Sequence, residues 1–238
     1  MKSSSGLPPS ESCLSCKQRS DEFFCNLSQE SLKVLDQMKH VTHLPARAVI
    51  FSEGQSPRGI YMLCQGQAKL SVSSRGGKTF ILRIAEPGEI LGLHSVVASR
   101  PYELTAETMQ PCQLNFVSQQ DFLRFLKDHG EACVRAAQHI SRDCQDAYDV
   151  VRTIGLSTSA SGKVAKFLLT SATDGRVKDG VIHTKLALTH DDIGQLTGTS
   201  RETITRTLGE FRKKNIVELK GSVLIIHDKS ALEQLVAT

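Results

Sequence analysis

The sequence contains no tryptophan and only 5% aromatic residues over 238 positions, so its cores must be built mainly from aliphatic side chains. It has no apolar run long enough to cross a bilayer, and its opening residues, MKSSSGLPPSES, lack the apolar core of a secretory signal. A cytoplasmic protein without a membrane partner is expected. The short motifs of common enzymes are also missing: no HExxH pair, no phosphate-binding glycine loop, no dinucleotide fingerprint and no nucleophile elbow. The eight histidines are scattered without metal-ligand spacing. An enzyme is therefore not expected. Nor is there a large excess of one charge, since a formal net charge of +4 permits a nucleic-acid partner without demanding one.

What is present divides the chain by texture. Residues 1 to about 12 are rich in Ser and Pro and are expected to lack structure. Ser28 to His40 reads as a short amphipathic helix capped by Ser28, with Leu32, Leu35 and Met38 on one face. From Val41 to about Val117, short β-prone runs such as GIYMLC and TFILRIA alternate with glycine- or proline-bearing turns. That rhythm predicts an antiparallel barrel or jelly roll. Helical periodicity returns from Ser118 to about Gly155. Within it Cys133, Ala137, Ile140, Cys144, Ala147, Val151 and Ile154 follow a four-three spacing, the seam of a coiled coil. Such a face fits a parallel dimer or packing on the chain's own barrel; a long helix after a β-roll favours the dimer.

The strongest local signal is THDDIGQLTGTSRETITRTLGEFRKKNIV, residues 189–217. Thr189 caps a first helix whose first turn carries Asp191 and Asp192, Gly194 is small where two helices would cross, and Gly198 falls at the turn. Ser200 caps a second helix from Arg201 to about Lys214. Its first turns present Arg201, Glu202, Thr205 and Arg206, side chains suited to base edges in a major groove. Ser200 and Thr199 at its start, and Lys213 and Lys214 near its end, suit phosphates. A solvated helix with an incidental Glu202–Arg206 ion pair is the plainer alternative. The two strands of IVELKGSVLIIHD, turning at Lys220-Gly221-Ser222, then form a wing with Lys220 near a phosphate.

On these residues the chain from about position 28 onward resembles the CRP/FNR superfamily of bacterial transcription regulators, most specifically through LTHDDIGQLTGTSRETITRTL and KGSVLII. The resemblance implies an α+β protein. Its parts would be a Cys-containing N-terminal segment (1–27), a cyclic-nucleotide-binding-type β-roll (28–125), a dimerisation helix (126–155) and a winged helix-turn-helix domain (156–238). It implies a homodimer bound to double-stranded DNA, with RNA polymerase as a further partner. Arg201, Glu202 and Arg206 would read a TGTGA- or TGA-like half-site, with Ser200 and Thr203 on phosphate.

The resemblance also bears on the sensor. Where the family's cAMP site has a ribose-binding Glu and a phosphate-binding Arg, this chain has Leu93 and Glu103, so cAMP is not the expected effector. Cys13, Cys16 and Cys25 supply a CxxC chelate and a third thiol. By likeness to oxygen-sensing FNR-type regulators, Cys112 would be the fourth ligand of a 4Fe-4S iron–sulfur cluster, although the gap before Cys25 is longer than usual there. Zinc and no metal at all are the alternatives. Cys64 is expected to be a buried packing residue, and Cys133 and Cys144 to be interface residues.

Overall fold

A computed structural model describes residues 12–16, 23–156, 159–173 and 175–237. The stretch over 1–11, expected to lack structure, lies outside the described residues. The chain divides into two compact units, residues 1–145 and 146–238.

The first unit begins with α1 (Gln29–Met38), whose N-cap is Ser28 as its position predicts. Eight strands follow: β1 (His40–Leu44), β2 (Val49–Phe51), β3 (Gly59–Gln65), β4 (Ala68–Ser73), β5 (Thr79–Ala85), β6 (Ile90–Leu91), β7 (Thr105–Thr108) and β8 (Cys112–Ser118). They form two antiparallel four-stranded sheets, ordered β1-β8-β3-β6 and β2-β7-β4-β5. Alternation along each strand makes one face of each sheet apolar. Leu63, Leu91 and Leu114 of the first sheet meet Phe51, Leu70 and Ala106 of the second in a shared core. The outer face of the first sheet carries Ile60, Met62, Ile90 and Val117 and is covered by helices. These are α1, α2 (Leu93–Ala98), α3 (Gln119–Asp128) and the start of α4 (Gly130–Leu156). The long helical stretch expected after Ser118 is thus two helices, because the chain leaves helical geometry at His129, the C-cap of α3.

One face of α4 packs on the β-roll through Ala132, Ala136 and His139, all buried. Of the four-three seam, Ile140 packs partly against that same cluster and the rest lies on other faces. Cys133, Ala137, Cys144 and Val151 are exposed, and Ile140 and Ala147 are partly so; the side chain of Ile154 lies outside the described residues. Tyr148 and Val151 are 61% and 66% exposed, respectively, on this helix. The helix thus separates its two apolar stripes, one satisfied within the protomer and one not.

The second unit contains α5 (Ala160–Ser171), β9 (Arg176–Lys178), β10 (Val181–Lys185), α6 (His190–Thr197), α7 (Arg201–Lys213), β11 (Val217–Lys220), β12 (Val223–Ile226) and α8 (Lys229–Ala237). Its sheet order is β11-β12-β10-β9. The core is Val164, Leu168, Ile193, Ile204, Phe211, Leu224 and Leu232 with their neighbours. The closing helix α8, which packs Leu232 into that core, was not anticipated from the sequence.

Candidate nucleic-acid interface and sensor sites

The helix-turn-helix is built from α6, a turn and α7. Thr189 and Asp192 form a reciprocal capping box at the start of α6, each side chain satisfying the other residue's backbone N–H. Gly198 ends α6 in the left-handed region, at φ 67°. A Cβ on Gly194 would lie 3.0 Å from the carbonyl oxygen of Thr199, so a larger residue there would push the turn back from α6 by a few tenths of an ångström. The Ser200 hydroxyl accepts from the Thr203 amide at 3.2 Å and starts α7. Ile193 and Ile204 are fully buried between the two helices.

Burial of Ile204, Thr207, Leu208 and Phe211 fixes the rotation of α7. Arg201, Glu202, Thr205 and Arg206 therefore face outward and are exposed. The incidental pair considered above does not form: among the described residues no ion pair joins Glu202 to Arg206. Glu202 instead folds onto the helix start, where its own backbone N–H, the Ser200 hydroxyl and the charge of Arg201 hold its carboxyl below the usual range. Thr205 donates to the Arg201 carbonyl at 2.9 Å and meets Nδ1 of His190 at 2.9 Å, which fastens α7 to α6. The wing is β11 and β12, turning at Gly221 with φ 60°. Lys220 is exposed at its tip and pairs with Glu218 at 3.0 Å.

A pocket of the β-roll, where the resemblance would place an effector, is lined by Arg83, Leu93, His94, Tyr102, Glu103 and Asp143, among others. Its cavity measures only about 40 Å³, space for water and not for a nucleotide. Tyr102 stacks on Phe51 with centroids 4.0 Å apart and donates to the Gly59 carbonyl at 2.7 Å, filling the space. Leu93 is buried among apolar side chains, and Glu103 is exposed. The one arginine on the pocket wall is already occupied: Arg83 pairs with Glu89 and, at 2.9 Å, with Asp143 of α4.

Asp143 is the centre of a network the sequence reading missed. Besides Arg83 it meets His94 Nε2 at 3.1 Å and His139 Nδ1 at 3.2 Å. His139 Nε2 accepts from the Ile90 amide at 3.2 Å, so its Nδ1 carries the proton and donates to Asp143. Burial opposes the charge on Asp143, but the bonds from His139 and His94 and the nearby Arg83 hold its pKa well below the carboxylate range. His94 is raised, chiefly by its bond to Asp143. A signal existed: His139 and Asp143 stand four residues apart, in register with Ala132 and Ala136.

The cysteines are placed differently from the expectation. Cys112 is fully buried and belongs to the core between the two sheets. Its thiol lies against the carbonyls of Gln67 and Gln110, at 3.4 and 3.2 Å. It therefore does not join the N-terminal cysteines, which lie on the helix-covered side; strand parity sends Cys112 and Leu114 to one face of β8 and Gln113 and Asn115 to the other. Cys64 does face them. It follows Leu63 on β3 where the register slips between Leu63 and Gln65, a bulge that leaves Cys64 without a cross-strand partner. Burial, then the neighbouring Cys13 and Cys25, push the Cys64 thiol up to about 12. The role expected of Cys64, packing alone, omits this company.

Cys13 lies against the same apolar cluster. Its sulfur receives Lys39 Nζ at 3.3 Å and Asn115 Nδ2 at 3.9 Å. Asp36 holds the Ser12–Cys16 turn by accepting from the Cys13 amide at 2.7 Å and the Ser12 hydroxyl at 2.8 Å. Partial burial opposes ionisation of Asp36, yet bonds from Lys39, the Cys13 amide and Ser12 hold it at about 2. The donors present on this side of the sheet are soft thiols beside a cation, a set that suits a thiophilic metal centre. Among the described residues no three potential ligands already surround one point.

Residues 41–129 match the cyclic nucleotide-binding domain family, and residues 162–235 match the Crp-like helix-turn-helix domain family. The chain belongs to the CRP/FNR superfamily. It is similar to the CRP-like cAMP-activated global transcriptional regulator of Mycobacterium tuberculosis (strain CDC 1551 / Oshkosh), with 23% identity over 210 residues, 88% of this chain and 93% of that one. It is also similar to the cAMP-activated global transcriptional regulator CRP of Salmonella typhimurium, with 22% identity over 194 residues, 79% of this chain and 90% of that one. Among solved structures, FixK2 from Bradyrhizobium japonicum superposes with a TM-score of 0.72 at 19% identity, covering 84% of this chain and 98% of that one. The c-di-GMP responsive regulator CLP of Xanthomonas campestris gives 0.74 at 15%, covering 84% and 99%. As a CRP/FNR member the chain is a CRP-like DNA-binding transcription regulator, and these relatives are regulators, not enzymes.

Proposed function

We propose that two copies of this chain pair along the exposed seam of α4 and set two α7 helices into successive major grooves of a pseudo-palindromic operator with TGTGA- or TGA-like half-sites. The observation that carries this reading is the outward set Arg201, Thr205 and Arg206 on a helix whose opposite face is locked in the core. Arg201 and Arg206 offer guanidinium forks to guanine O6 and N7. Glu202 reads the neighbouring base by leaving its N-terminal capping position, and Ser200, Thr203 and Lys220 engage phosphates. RNA polymerase is the downstream partner, and the cytoplasm the compartment.

The sensor half answers to something other than a cyclic nucleotide, because aromatic side chains fill its pocket and carboxylates neutralise its arginine. Its response is to oxygen or redox state through an iron–sulfur cluster on the N-terminal cysteines, with zinc as the alternative occupant. Such a cluster, when bound, supplies an anchor whose integrity depends on oxidation. The chain's own part is to hold the thiols against the sheet and to tie α1 to α4, where Glu131 accepts from Ser28 and Ser31.

A mobility shift with a TGTGA-N-TCACA-type duplex, two inverted half-sites around a spacer, tests the operator reading. Wild-type protein is expected to bind it, and Arg201→Ala or Arg206→Ala to lose about 1–3 kcal/mol each and relax specificity at one base pair. Equal binding by wild type and the double variant removes the reading.

A further inference from the structure

We infer that Cys13, Cys16, Cys25 and Cys64 form a four-thiolate site for a thiophilic metal centre, with Cys64, and not Cys112, as the ligand supplied by the β-roll. The inference rests on the thiol-based sensor proposed above and names its ligand set.

Three observations converge on it. Strand parity comes first. Ile60 and Met62 of β3 face the helices, while Tyr61 and Leu63 pack toward the second sheet. Cys64 continues the first series and is displaced by the bulge, a distortion that re-aims a side chain at little cost to the sheet. Cys112 follows the opposite parity and is committed to the core between the sheets.

The second is company. Cys13, Cys25 and Cys16 all lie within electrostatic reach of the Cys64 thiol. Their order along the chain, a CxxC pair followed by a third cysteine in the 3-10 turn Phe23–Asn26 just before α1, lets thiols from the N-terminal side approach while the rigid sheet supplies the last sulfur from the other. Lys39, its side chain only 7% exposed, stands at Cys13. A centre with four thiolates is anionic, and a sheltered ammonium beside it offsets that charge.

The third is a pair of buried amides. Gln113 and Asn115 are 6% and 3% exposed on the face of β8 opposite to Cys112. Asn115 already approaches the Cys13 sulfur with Nδ2. Among the described residues Asn115 Oδ1 and Gln113 Oε1 have no hydrogen-bond partner. Buried unpaired polar atoms are costly and uncommon, and these amides carry N–H donors that a thiolate sulfur can accept, as Asn115 Nδ2 already shows at Cys13. Loading requires the partly buried Ser12–Cys16 turn to draw in toward the sheet and Lys39 to yield its contact with the Cys13 sulfur. No strand has to move.

The test uses the full-length protein, reduced and metal-free, titrated with cobalt(II) as a zinc probe and, in parallel, with ferrous iron and sulfide without oxygen. Wild type is expected to give either the intense sulfur-to-cobalt absorption of a tetrahedral four-thiolate site or a stable brown cluster. Cys64→Ser and Cys13→Ser should each weaken retention about tenfold or more, whereas Cys112→Ser should match wild type. Cys13 packs on the apolar cluster and Cys112 in the core, so far-ultraviolet circular dichroism first confirms that the Cys13→Ser, Cys64→Ser and Cys112→Ser proteins are each folded. Loss in Cys112→Ser, full retention in folded Cys64→Ser, or binding of neither probe by wild type would overturn the site. Cobalt binding without cluster assembly supports the site while removing the iron–sulfur reading. The Arg201-dependent mobility shift, measured on the same samples, keeps failure of the DNA-binding reading separate.

Discussion

Arg83, in a strand of the β-roll, donates to Asp143 on the long helix at 2.9 Å. This bond joins the wall of a small β-roll pocket to the helix proposed above to carry a dimer seam. Asp143 gathers two further partners, so its loss strands several polar groups at once. Replacing it by Ala should destabilise the first unit by about 1–3 kcal/mol, the range for partly buried charge-assisted networks. Urea unfolding of Asp143→Ala against wild type checks this, and a loss below about 0.5 kcal/mol contradicts it.

The same network makes stability depend on pH. Asp143 raises the pKa of His94 above its ordinary value. A group whose pKa is raised on folding contributes stability that is fully present below its unfolded value and fades as pH climbs through the folded one. The stability gap between wild type and His94→Gln should therefore be widest near about pH 5.5 and narrow toward about pH 8.5. Thermal melts across that range read the gap. A gap that widens with pH gives the wrong sign.

The seam of α4 predicts a separation of folding from assembly. Val151 is 66% exposed in the protomer, so Val151→Glu should leave the protomer's melting behaviour nearly unchanged while shifting light-scattering mass from dimer to monomer. Seam positions in a parallel pair place identical residues opposite one another. Mild oxidation should accordingly link Cys133 or Cys144 to its counterpart as a covalent dimer on a non-reducing gel, and the double variant Cys133→Ser/Cys144→Ser should abolish that band.

Much of the second unit was legible from local chemistry. Thr189, Gly194, Gly198 and Ser200 each do there what residues of their type do at caps, crossings and turns, and the apolar spacing of α7 fixed which side chains face out. The β-roll was legible as a class from its strand rhythm. What escaped were relations between distant segments. The opposite sides taken by Cys64 and Cys112 depend on which sheet face the helices cover, and the register slip after Leu63 has no local signature. The Asp143 network joins three elements, and a single strand or helix shows one charged residue without its partners. Helix α8 was missed because its apolar positions are few and lie at the end of the chain.

The proposed dimer sets two α7 helices on two half-sites one helical turn apart, about 34 Å along the duplex. A binding titration decides this, at one fixed salt concentration, against two duplexes that differ only by about five base pairs inserted between the half-sites. The insertion turns the second half-site to the opposite face of the DNA, so affinity should fall to the level of unrelated sequence. Equal affinity for both duplexes would contradict the account.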